Sequence, residues 1–159
     1  MENKLSHLDA SGNARMVDVG EKDVVSRTAT ASGEIIFPKD VLDTLRKQDF
    51  LSAKGSIIQT AVIAGIQGVK KTADLIPLCH SLALSKVKID ISQSKLGLTI
   101  VCEVKCMGQT GVEMEALTGV SVAALTVYDM CKALSQEIRI TSIQLDEKKG
   151  GKKDFTRSK

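Results

Sequence analysis

Residues 86–105 read Lys-Val-Lys-Ile-Asp-Ile-Ser-Gln-Ser-Lys-Leu-Gly-Leu-Thr-Ile-Val-Cys-Glu-Val-Lys. Val87, Ile89 and Ile91 alternate with Lys86, Lys88 and Asp90. Leu98, Ile100, Cys102 and Val104 alternate with Thr99, Val101, Glu103 and Lys105. A period of two marks a strand with one covered face. Ser94-Lys95-Leu96-Gly97 is a turn between the two runs, so the stretch predicts an antiparallel hairpin. Upstream, Ala29, Ala31, Ile35 and Phe37 alternate with Thr28, Thr30, Ser32 and Glu34, a strand over 27–37. Downstream, a last strand is expected over Ile138–Leu145, with a bulge near Thr141-Ser142.

Helices fill the gaps. Pro38 suits a first helical turn and opens a short helix to about Lys47. A long helix is expected from Ser56 to about Ala73, where Ala61, Ala64, Gly65 and Gly68 leave room for a close neighbour. Pro77 disfavours helix at Ile76, so Leu75–His80 is an irregular connection. A second long helix is expected from about Val112 to Ser135. The order strand, helices, strand, strand, helix, strand is the ferredoxin-like split β-α-β arrangement. The alternating strands favour an α+β fold with an antiparallel sheet and helices packed on one face.

The chain has 159 residues, 43% of them apolar, which suits a single domain over 1–159. Flexible segments are expected at about 1–20 and about 147–159. Only Phe37, Phe50, Phe155 and Tyr128 are aromatic, so the core must be built from Ala, Val, Ile and Leu. The formal charge is +3, and residues 147–159 alone carry six basic and two acidic groups, leaving the rest close to neutral. No apolar run approaches the roughly 18 residues a membrane helix needs. The first residues lack a signal-peptide core, so the expected location is the cytoplasm, with no membrane partner. The cysteines, Cys79, Cys102, Cys106 and Cys131, are then expected to be reduced. Cys102 and Cys106 share one face of a strand and read as small core hydrophobes. A zinc site using Cys79, His80 and the other two is the competing reading, without the paired short spacings of a strong site.

Both long helices lack a polar face. Between Gly55 and Val69 there is no charge, and between Ala116 and Cys131 only Asp129. Helices apolar all round must be covered on more than one side, which one sheet cannot do. A homo-oligomer is therefore expected.

The polar residues within this apolar setting are the chemical candidates. A carboxylate at Asp129 costs free energy unless something stabilises it, and Lys132 lies three residues on, on the same helix face. Two readings fit: an intrahelical ion pair at an oligomer contact, or an acid–base pair with pKa values set by burial and by each other. Thr110-Gly111-Val112-Glu113 fits a capping box. Glu115 has no such role and is either solvated or available to a ligand ring edge. His80 follows a proline-broken helix and is structural or functional. Lys54-Gly55 precedes a helix N-terminus, a plausible anion site. Lys148-Lys149-Gly150-Gly151-Lys152-Lys153 is either a solvated end or a segment that closes on a polyphosphate. No serine–histidine–acid arrangement, Walker loop or dinucleotide fingerprint is present. The pattern suits proton transfer on a phosphorylated small molecule.

Five blocks together resemble the cyclic pyranopterin monophosphate synthase family of molybdenum cofactor biosynthesis. They are Met16-Val17-Asp18-Val19, Ala64-Gly65-Ile66, Asp74-Leu75-Ile76-Pro77-Leu78-Cys79-His80, the run from Thr110 to Thr118, and Tyr128-Asp129-Met130-Cys131-Lys132-Ala133. The resemblance spans nearly the whole chain. It implies a lyase that rearranges a cyclised dihydroguanosine triphosphate to cyclic pyranopterin monophosphate and releases diphosphate. It also implies a hexamer built from three dimers, with active sites at subunit interfaces. Position by position, it assigns Asp129, Lys132 and Lys54 to catalysis. Leu78, Cys79, His80, Glu113, Met114, Glu115, Arg27 and Lys148 are assigned to substrate binding, with Arg27 and the lysines on the triphosphate. It implies no resident metal and no required cofactor; a magnesium ion accompanying the diphosphate stays open. Ser81 stands where the family usually has proline, and Gly150-Gly151-Lys152-Lys153-Asp154 is one residue shorter than the family's usual motif. The alternative is a non-catalytic nucleotide- or nucleic-acid-binding ferredoxin-like module. Such sheets stack bases on strand aromatics, whereas Val87, Ile89, Ile100 and Val104 occupy the middle strands here. No nucleic-acid partner is therefore expected. A non-catalytic oligomeric scaffold is the third reading, in which Asp129 and Lys132 are purely structural.

Overall fold

A computed structural model describes residues 7–9 and 11–158. Part of the expected flexible N-terminal segment, residues 1–6 and 10, lies outside them. The strands are β1 (Val25–Ile36), β2 (Leu51–Ser52), β3 (Gly55–Ser56), β4 (Leu84–Gln93), β5 (Gly97–Gly108), β6 (Arg139–Lys149) and β7 (Phe155–Thr156). The helices are α1 (Lys39–Lys47), α2 (Ile57–Lys70), α3 (Thr72–Leu75) and α4 (Glu113–Cys131). Five strands form one antiparallel sheet in the order β4-β5-β1-β6-β7, and β2 pairs with β3 separately. The expected α+β ferredoxin-like architecture is present.

The two-residue alternation sets the faces of this sheet. Ala29, Ala31 and Ile35 of β1 and Leu98, Ile100, Cys102, Val104 and Cys106 of β5 are all buried beneath the helices. Thr28, Thr30, Ser32 and Glu34 turn to the other face, opposite Lys105, Glu103, Val101 and Thr99 in the β1–β5 register. Cys102 and Cys106 share the buried face, as the sequence predicts, and burial pushes the Cys102 thiol up to about 12.

α4 covers the middle of the sheet with Ala116, Val120, Ala123, Ala124, Val127 and Cys131, a stripe at helical spacing. α2 lies beside it, over β4. The small residues of α2 make that approach possible. A Cβ on Gly65 would stand 2.9 Å from the Gly119 carbonyl oxygen, and one on Gly68 2.6 Å from Val122. Phe37 and Phe50 close one end of the core edge to face, with centroids 6.4 Å apart.

Four expectations need correction. The helix of residues 56–73 ends at Lys70 and resumes as α3, with Thr72 buried and bonded through its hydroxyl to the carbonyls of Gly68 and Val69. α4 stops at Cys131 rather than Ser135. The capping box at Thr110 is absent: Val112 is the N-cap, no side chain caps it, and Glu113 is the first helical residue. The C-terminal segment expected to be flexible is in part paired strand, since β6 runs on to Lys149 and β7 folds back on it, Glu147 opposite Thr156. The expected bulge does occur: the β1–β6 register shifts between Ser32 and Glu34, opposite Gln144 and Thr141, and Ser142 takes φ 55.

Candidate active site at the two ends of α4

The candidate residues fall into two groups, separated by the length of α4. At its N-terminal end a cleft of about 580 Å³ opens between β1, β6 and the loop leading into the helix. Six basic side chains line it, Lys22, Arg27, Lys148, Lys149, Lys152 and Lys153, against three acids, Glu21, Asp23 and Glu113. Strand register delivers two of them. Lys148 stands opposite the buried Ala29 and so points to the helix side of the sheet, where Nζ meets Glu113 Oε1 at 2.8 Å. Arg27 lies two residues before Ala29 on that same side. Its Nε donates to the Gly108 carbonyl at 3.1 Å, and its two terminal nitrogens donate to the carbonyls of Gln109 and Gly150.

A second compartment of about 370 Å³ adjoins the first. It is lined by Leu78, Cys79, His80, Met114 and Glu115, and shares Lys22, Thr110, Gly111 and Glu113 with its neighbour. Proline 77 places the first three: after α3 the chain cannot continue as helix, and the Cys79 amide donates to the Ile76 carbonyl at 3.0 Å in a tight turn. Glu115 is not solvated; only 4% of it is exposed. Burial raises its pKa, and the nearby Glu113 charge raises it further. Burial and the same two carboxylates also raise the Cys79 thiol. Gly111 lets the Glu113 carboxylate lie against the loop backbone: a Cβ there would stand 1.9 Å from Oε2 and turn that side chain aside.

The other group occupies the C-terminal end. Asp129 Oδ1 and Lys132 Nζ are 2.6 Å apart. In the single chain this pair is open to solvent, with 61% of the Asp129 side chain exposed. The expectation that burial tunes Asp129 therefore fails within one chain. Instead, the hydrogen bond and charge of Lys132 hold its carboxyl below the usual range, and Lys54 adds a further pull. Lys54 sits in the β2–β3 turn, its amide donating to Ser52 Oγ at 3.2 Å. The helix N-terminus nearby is already capped, because Ser56 Oγ accepts from the Gln59 amide.

Sixteen residues separate Glu113 from Asp129, about 24 Å along a helix. The single chain thus unites Arg27, Leu78, Cys79, His80, Glu113, Met114, Glu115 and Lys148, and separately Lys54, Asp129 and Lys132. Among the described residues of the single chain no group of three or more His, Cys, Asp or Glu converges on a metal position. Several lining residues escaped the sequence reading. Gln109 donates to the carbonyls of Gly20 and Lys22 at 3.1 and 2.9 Å and ties the N-terminal segment to the cleft. His7 and Lys22 line the second compartment. An exposed polar residue in a loop carries no periodic signal that would have marked it.

The fold and these two clusters define an α+β protein with a predominantly basic cleft beside a smaller, partly apolar compartment. Comparison with known proteins narrows the class. Residues 16–151 match the model of the MoaC family. The chain is 49% identical over 158 residues to the cyclic pyranopterin monophosphate synthase of Campylobacter jejuni subsp. jejuni, covering 98% of this chain and 99% of that one. It is 53% identical over 153 residues to the synthase of the same name from Xanthomonas campestris pv. campestris, covering 96% and 93%. The chain belongs to the MoaC family, enzymes of molybdenum cofactor biosynthesis.

Proposed function

We propose that this protein rearranges a cyclised dihydroguanosine triphosphate to cyclic pyranopterin monophosphate, a lyase reaction that releases diphosphate. The observation that carries the reading is the pair of joined compartments. One presents a surplus of ammonium groups, suited to a triphosphate through charge-assisted hydrogen bonds. The other offers Glu115, His80 and Cys79 to a polar, flat ring. A buried carboxyl with a raised pKa can donate or accept a hydrogen bond at the ring edge. Asp129 and Lys132 carry the proton transfers, and Lys54 helps hold the Asp129 carboxylate charged.

The two halves meet across a subunit interface in this reading. Leu125 lies one turn before Asp129 on the same helix face and is 59% exposed, and Ile63 of α2 is 61% exposed. Such apolar area beside an exposed ion pair suits cover by a second copy. That copy brings its own N-terminal cleft to Asp129, and three such dimers make a hexamer. The enzyme needs no resident cofactor, and a magnesium ion would arrive and leave with the phosphates. No helix among the described residues is long and apolar enough to cross a membrane, in keeping with a cytoplasmic enzyme.

Mass spectrometry of the purified protein with the cyclised triphosphate tests the reaction; absence of the cyclic monophosphate product would end the proposal. Mixing tests the shared site. Asp129→Asn and Lys148→Ala chains, each strongly impaired alone at substrate well below the Lys148→Ala KM, should regain about a quarter of wild-type activity under that condition when refolded together, because a mixed dimer has one intact site. No recovery would place both halves within one chain.

A further inference from the structure

The Arg27 guanidinium does not face the cleft as a free cation. Its three donor-bearing nitrogens all reach main-chain carbonyls: Gly108 at 3.1 Å, Gln109 at 3.4 Å, and Gly150. The first two belong to the end of β5 and the loop into α4, the third to the turn after β6. Arg27 therefore joins two segments that strand pairing does not connect. The planar fork of arginine suits this task, since one rigid group satisfies several acceptors at fixed angles.

The turn it holds is built to close tolerances. Gly150 has φ +84, and a Cβ on it would stand 2.0 Å from the Ser26 carbonyl oxygen, so the turn packs against the β1 backbone with no room for a side chain. Its amide donates to Asp154 Oδ1 at 3.0 Å, which closes the turn from the far side. Lys152 and Lys153 lie between these two anchors and line the cleft. Gln109 extends the tie to Gly20 and Lys22 on the opposite rim.

We propose that Arg27 is a positioning residue: it fixes the Gly150–Lys153 turn against the loop entering α4, so that lysines, not arginine, grip the triphosphate. This revises the role that family resemblance assigns to Arg27, and it rests on the substrate reading above. A chain lacking the fork keeps its lysines but presents them from a loosened turn.

The test compares wild type with Arg27→Lys, which keeps the charge and loses the fork. In ligand-free protein, amide hydrogen exchange over residues 150–153 should be faster in the variant. KM for the cyclised triphosphate should rise about tenfold, the scale of one charged hydrogen bond, with kcat within about twofold. Gly150→Ala should give the same split, and the double variant should be no worse than the weaker single one, as expected for two changes acting on one element. Unchanged exchange in ligand-free Arg27→Lys, together with weaker binding of inorganic triphosphate, would overturn the proposal and make Arg27 a direct ligand. So would a double variant whose losses multiply. If wild type itself ignores inorganic triphosphate, the substrate reading fails, whereas the exchange result still decides whether the clamp exists.

Discussion

At the N-terminal end of α4, Glu113 and Lys148 pair inside a cleft whose walls come from β1, β6 and two loops. At the C-terminal end, Asp129 and Lys132 make a contact of the same kind in open solvent. The first pair is half-buried, with Glu113 close enough to act on the buried carboxyl of Glu115; the second, in solvent, feels the added charge of Lys54. Water screens an exposed pair, so it contributes little to stability. An acid and a base held in contact by helix spacing alone are left for a task other than holding the fold. On the function proposed above, the cleft end binds and the exposed end reacts once a second copy covers it.

The largest effect should come from Asp129→Asn. Loss of a proton-transfer group should cost turnover about a hundredfold or more. The thermal midpoint should stay where it is, because the pair is exposed, and binding of inorganic triphosphate should persist. A drop in thermal midpoint, or near-normal turnover measured by product mass, would break the contrast between the two ends.

Lys148→Ala should act in the opposite way. It removes a cation from the cleft and strands Glu113 beside the phosphates. KM should rise on the order of tenfold to a hundredfold, the range of one to two charged hydrogen bonds, with a smaller change in kcat. Steady-state kinetics decide this, and a pure kcat effect would move Lys148 from binding to chemistry.

The smallest effect concerns pH. Glu115 has a folded pKa raised above its ordinary value of 4.5 by burial. The folded chain therefore holds a proton there that the unfolded chain has already released, so stability falls as pH rises from the ordinary carboxylate range through the raised folded value. Glu115→Gln should flatten this decline in a series of thermal melts from acid to neutral pH. Asp129 works with the opposite sign but little weight: its carboxyl is held low by Lys132, and because water screens the exposed pair, the stability lost as pH falls below the usual carboxylate range is too small to move the midpoint. Identical melting curves for wild type and Glu115→Gln would mean that the carboxyl at 115 is not desolvated.

Much of this was legible in the residues. The alternation in 86–105 and 27–37 placed three of the four main strands, and the small residues of α2 announced the close packing of helix on helix. The Asp129–Lys132 contact also followed from spacing, because three residues along a helix always lie on one face. The capping box at Thr110 did not survive, since the loop carbonyls there are held by Arg27, and Glu113 is drawn instead to Lys148 from a strand distant in sequence. The burial of Glu115 could not be read either. Its neighbours Met114 and Ala116 give no sign that Leu78–His80 folds over it.

Local periodicity, a property of adjacent residues, was enough for the sequence to determine strand faces, helix stripes and the partnership of Asp129 with Lys132. Only tertiary structure decided that Arg27, in the cleft wall, would spend its fork on backbone carbonyls, that part of the basic tail would join the sheet, and that the two candidate clusters would stand a helix length apart. Those outcomes depend on groups brought together by strand pairing across the whole chain, and no spacing along the sequence encodes such distances.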